Sequence, residues 1–144
     1  MITDAQLLFS DQQADVRNAA TYVSTNTVDL GVARDIGNGQ TLYVDFIVDD
    51  AFTGGTSVQF QVISSAAANL GTPTVLATTP AIVDATLVTG YRTQLAIPPV
   101  VGNGQRYLGV QYVGVGTHSA GKVSARLVLQ VDNRDHYASG FTVA

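Results

Sequence analysis

The chain has 144 residues, 11 acidic side chains against 7 basic ones, a formal net charge of −4 and no cysteine. A single domain of that length buries roughly 70% of the surface its unfolded chain exposes, and without cysteine neither a disulfide framework nor a thiolate metal site is available. Charged residues are only 12% of the chain, against a usual ~25%, and the acidic balance with scattered arginines excludes a binder of phosphate backbones, which needs clustered Lys and Arg.

Every acidic residue is Asp and Lys122 is the only lysine. Strong surface-helix formers are therefore scarce, while Val and Thr, which suit a pleated sheet, are abundant. Residues 1–25 read in two ways. Thr3 with Gln6 would form a capping box for a short helix, whereas Leu7-Leu8-Phe9 followed by Ser10-Asp11-Gln12-Gln13 reads as an extended apolar arm and a turn; the arm is the preferred reading. A first strand is expected over residues 27–32. Next, Leu42, Val44, Phe46 and Val48 alternate with Tyr43, Asp45, Ile47 and Asp49, and Phe52-Thr53-Gly54-Gly55 turns the chain into residues 57–64, where Val58, Phe60 and Val62 share a face opposite Gln59 and Gln61.

From residue 51 to residue 83 there is no charge at all. Within that stretch Pro73 and Pro80 bracket a short strand over residues 74–79, placed at a sheet edge because Pro cannot donate to a ladder. Residues 86–88 and 92–97 read as two more strands, the second ended by Pro98-Pro99. Then come residues 107–113, with Leu108, Val110 and Tyr112 on one face, and a long strand in which Val123, Ala125, Leu127, Leu129 and Val131 alternate with Ser124, Arg126, Val128 and Gln130. About eight antiparallel strands at this spacing predict an all-β fold, a two-sheet β-sandwich or jelly roll. It divides into an N-terminal arm leading into the fold (1–25), the sandwich (26–131) and a C-terminal tail (132–144), one domain overall.

A five-residue pattern occurs twice, Ile36-Gly37-Asn38-Gly39-Gln40 and Val101-Gly102-Asn103-Gly104-Gln105, each time ahead of a strand. Gly-Asn-Gly supplies positions that tolerate positive φ, so each copy marks a tight turn, and the recurrence suggests two similar halves of one β-structure.

The motifs that would carry chemistry fail on context. Gly116-Thr117-His118-Ser119-Ala120-Gly121-Lys122 matches the core of a phosphate loop, but Val123 stands where Ser or Thr should hold magnesium and a strand follows where a helix is needed, so a Gly-rich hairpin is expected. His118 and His136 are the only histidines and there is no Glu, so neither metal nor cofactor is expected; Asp49, Asp50, Asp132 and Asp135 read as turn residues accepting local bonds. No nucleophile elbow surrounds Ser119, and no catalytic residue is assigned. The opening Met1-Ile2-Thr3-Asp4 lacks the pattern of a secretory signal, and no apolar run approaches the ~20 residues of a membrane helix.

Gln6 to Gln13, Ser24-Thr25-Asn26-Thr27-Val28-Asp29-Leu30-Gly31 and Ala33-Arg34-Asp35-Ile36-Gly37, followed in order by Gly54-Gly55-Thr56-Ser57, Thr89-Gly90-Tyr91-Arg92, Arg106-Tyr107-Leu108 and Ala120-Gly121-Lys122-Val123, resemble the capsid cement proteins of tailed bacteriophages, of the Bordetella phage type. The likeness covers nearly the whole chain; residues 15–22 depart from it. It implies a jelly-roll subunit on the outer surface of the virion, made in the host cytoplasm, that binds the major capsid protein, associates with itself as a homodimer in preference to a trimer, and strengthens the shell without catalysis. Neither nucleic acid nor membrane is an expected partner. Apolar residues toward both ends, Leu7, Leu8 and Phe9 and then Phe141 and Val143, are the candidate docking residues. The alternative is a receptor-binding or carbohydrate-binding jelly roll of a tail or fibre, which would present Phe52, Tyr91 or Tyr137 side by side.

Overall fold

A computed structural model of the chain describes residues 4–14, 20–100, 102 and 104–129. Among the described residues ten strands follow one another: β1 (Leu8–Gln13), β2 (Thr21–Val23), β3 (Val28–Asp29), β4 (Tyr43–Thr53), β5 (Ser57–Ser65), β6 (Thr74–Thr78), β7 (Ile82–Val83), β8 (Arg92–Ala96), β9 (Tyr107–Val115) and β10 (Ala120–Val128). The first sheet has the order β1-β10-β4-β8; the second has β2-β9-β5-β6, with β3 beside β9 and β7 beside β5. The pairs β1 with β10, β2 with β9, β4 with β8 and β5 with β6 nest like the rungs of one long hairpin. Rolling that hairpin up brings β10 beside β4 and β9 beside β5 and closes the two antiparallel sheets of a jelly roll.

Alternation explains the core. Val44, Phe46 and Val48 from β4 and Val123 and Ala125 from β10 face Val58, Phe60 and Val62 from β5 and Leu108, Val110 and Tyr112 from β9, all of them buried. The Phe46 and Phe60 rings stack with centroids 5.1 Å apart, and Tyr112 meets both edge-on. Burying each such ring contributes about 1.5–3 kcal/mol, so this aromatic trio is a main adhesive between the sheets.

Several expectations are corrected. The N-terminal arm is a strand of the sandwich: Asp4 caps a single 3₁₀ turn at Ala5–Leu7, and the chain then pairs with β10 as the edge of the first sheet. Register shifts on either side of Ser10 let Phe9, Ser10 and Gln13 all turn inward, which hides the alternation from a sequence reading. The domain therefore begins before residue 26. Residues 86–88 form turns instead of a strand, because Leu87 and Tyr91 donate backbone bonds to Asp84 and Val88. The strand expected over residues 27–32 shrinks to the two residues of β3. Residues 116–119 are not a hairpin turn, since β9 and β10 lie in different sheets; they cross from one to the other.

Candidate interaction surface

Charge is segregated between the sheets. The first carries Asp11, Asp45, Asp49, Asp50, Arg92, Lys122 and Arg126 on its strands, whereas β2, β5, β6, β7 and β9 of the second contain no Asp, Arg, Lys or His. The charge-free stretch from residue 51 to 83 supplies three of those strands, and β9 extends the same property across the sheet. Asp29 on β3 is the exception, and Arg106 neutralises it through two hydrogen bonds of 2.8 Å, from Nε and Nη2. That pairing, helped by the Gly31 N–H, holds the Asp29 carboxyl down at about 2, and the same contact raises the Arg106 guanidinium.

With Val58, Phe60 and Val62 turned inward, Ser57, Gln59 and Gln61 face out, joined in register by Gln111, Val113 and Val115 from β9 and by Val83 from β7. The amides form a row: Gln111 Nε2 donates to Gln61 Oε1 at 3.1 Å, Gln61 to Gln59 at 3.4 Å, and Gln59 to the Thr79 carbonyl at 2.8 Å. Val83 and Val115 flank Ser57 and are more than half exposed, at 54% and 52%. One end of this face is covered by Leu70, itself buried and seated against Gly109 so closely that a side chain there would strike it. The remainder is an uncharged surface of amides and valines, cheap to desolvate compared with one that carries ions.

The opposite sheet behaves differently. Asp45, fully buried on β4, takes two hydrogen bonds from Arg92 on β8, through Nε and Nη2, and has Arg126 Nε of β10 at 3.4 Å. Lys122 and Asp50 are register partners nearby, and Asp49 accepts from Ser124 Oγ at 2.6 Å.

The expected docking residues separate. Phe9 is fully buried in the core of its own chain and is withdrawn as a contact; Leu7 and Leu8 are half-buried beside it. Phe141 and Val143 lie outside the described residues. Of the aromatics that would make a sugar platform, Phe52 is buried in the core, Tyr91 packs against that core, and Tyr137 lies outside the described residues, so the side-by-side arrangement does not form from the first two.

The loop cluster around His118 is a pin between loops. His118 Nε2 is 2.9 Å from Asp84 Oδ1, the ring meets Phe52 edge-on, and Asp84 Oδ2 accepts the Gly55 N–H at 3.0 Å. Ser119 Oγ is held by Thr53, 3.0 Å from its hydroxyl and 3.2 Å from its carbonyl, so the serine and histidine make no nucleophile and base pair. Among the described residues no three His, Cys, Asp or Glu side chains converge to hold a metal, and no helix is long and apolar enough to cross a membrane.

Comparison with curated proteins finds no match. The profile of the Bbp16 family, whose name is of the kind given to Bordetella phage proteins and points to a phage protein, matches residues 9–127, from within β1 almost to the end of β10. With the match spanning most of the chain and nearly all of the sandwich, this protein belongs to the Bbp16 family.

Proposed function

We propose that the chain is a structural virion protein, a capsid cement that binds the outside of a phage head and stabilises the lattice of the major capsid protein. The observation that carries this reading is the uncharged patch that β5, β7 and β9 present on the outer side of the second sheet, away from the Asp29 and Arg106 pair at its β3 edge. A protein of net charge −4 that must sit on a large assembly benefits from a patch without ions to strip of water, and the Gln59, Gln61 and Gln111 amides with Val83 and Val115 supply it. In this reading the protein has no catalytic role, also associates with itself, as a dimer in preference to a trimer, and resides on the outer surface of the virion after synthesis in the host cytoplasm. Membership of the Bbp16 family, whose name points to a phage protein, and a two-sheet body are what support it.

The test is cosedimentation of purified protein with phage heads that lack it. The wild type should pellet with the heads, and Val83→Asp with Val115→Asp should keep its melting temperature yet remain in the supernatant. A wild type that fails to pellet overturns the cement role; a charged double variant that pellets equally well removes this face from the contact.

A further inference from the structure

Beneath the two repeat turns lies a small cavity with room for about one water molecule. Leu30, Ile36, Leu76 and Leu108 make its apolar wall, and Ser64 and Gln105 bring polar atoms to it. Ser64 Oγ and Gln105 Oε1 are both shielded from solvent and find no hydrogen-bond partner among the protein atoms. Their positions are fixed from outside the cavity. Ser64 ends the inward row of β5, in register with Leu108 on one side and Thr74 on the other. Gln105 Nε2 donates to Thr74 Oγ1 at 3.3 Å, so the register partner of Ser64 tethers the glutamine amide beside it.

Small apolar cavities stay dry, whereas one with two unsatisfied polar groups and space for a water holds one, because a buried polar atom without a partner forfeits its hydration. We propose that this cavity is a binding site for a single ordered water that donates to Gln105 Oε1 and is hydrogen-bonded to Ser64 Oγ. The water ties the second Gly-Asn-Gly turn to β5 and so fixes the end of the sandwich at which the two repeats meet.

A high-resolution crystal structure of the full chain tests this on the wild type. One ordered water within hydrogen-bond reach of both atoms is the expected result, and side chains placed as described around a cavity without water overturn the proposal. The second arm is thermal unfolding of Ser64→Val, which fills the space with a methyl group and expels the water. Left unpaired, Gln105 should lower the melting temperature by about 3 °C; a variant as stable as the wild type or more so would mean that the cavity is dry and the serine idle.

Discussion

Tyr112 on β9 donates its phenolic hydroxyl to Ser10 on β1 across the core, at 2.8 Å. The two strands belong to different sheets, and Ser10 passes the connection on by donating to Gln13 Oε1 at 2.7 Å. Gln13 in turn donates through Nε2 to the Val23 carbonyl and accepts from the Thr25 N–H. A chain of buried, mutually satisfied polar groups thus stitches the N-terminal strand to both sheets, which is why this segment is part of the fold and not a free arm.

The consequence is large for Phe9. Replacing it with Ala removes a fully buried ring from the core and should cost about 3–5 kcal/mol, read as a lower urea midpoint. Deleting residues 1–9 should be at least as damaging. An unchanged midpoint for either variant would mean that the segment is dispensable and free to dock elsewhere.

Burial pushes the Tyr112 phenol well above its ordinary value, a shift that the Ser10 contact only partly offsets. Unfolded chain ionises near pH 10 while the folded chain keeps its proton, so this group's contribution is complete below about pH 10 and is lost as pH rises beyond it. Tyr112→Phe should cost about 0.5–1.5 kcal/mol at neutral pH but show a shallower loss of stability between about pH 10 and 12. Parallel pH profiles for the two proteins would contradict the assignment.

The two repeat turns should respond unequally to substitution. They pack side by side: Val100 N–H donates to the Ile36 carbonyl, and the Asp35 carboxylate accepts from the N–H groups of Gly102 and Gly104 at 2.8 and 3.0 Å. A Cβ at Gly104 would collide with the backbone of Arg34, while Gly39 has open space around it. Positive φ falls on the first glycine of each pair, +75° at Gly37 and +76° at Gly102. Gly104→Ala should therefore cost on the order of 2 kcal/mol, Gly37→Ala about 1 kcal/mol, and Gly39→Ala close to nothing. Equal melting temperatures for the Gly104 and Gly39 variants would refute the close approach.

Asp45 sits beneath two guanidiniums, so Asp45→Asn leaves Arg92 and Arg126 facing each other with no counter-charge. The expected loss is on the order of 3 kcal/mol, measured by denaturant unfolding and partly relieved when Arg126 is also changed to Met. A stability change below about 0.5 kcal/mol would place this cluster among ordinary surface pairs.

Much of the fold was legible from Val44, Phe46 and Val48, from Val58, Phe60 and Val62, and from Leu108, Val110 and Tyr112, because strands with one face in a core must alternate. Pro73 and Pro80 also marked β6 correctly as an edge strand. Phe9 was misplaced because bulges around Ser10 break the period of two, and the burial of Asp45 was not legible because its cover, Arg92 and Arg126, comes from neighbouring strands distant in sequence. The candidate interaction surface was half visible in the uncharged run from residue 51 to 83. Its other half, β9, joins only through the register of β5 with β9, which composition does not reveal.

The most direct test of the cement role is heat-induced release of packaged DNA from phage particles with and without this protein. Particles carrying it should retain DNA to a higher temperature, and adding purified wild-type protein to deficient particles should restore that resistance while Val83→Asp with Val115→Asp should not. Deficient particles that withstand heat as well as complete ones would contradict the role.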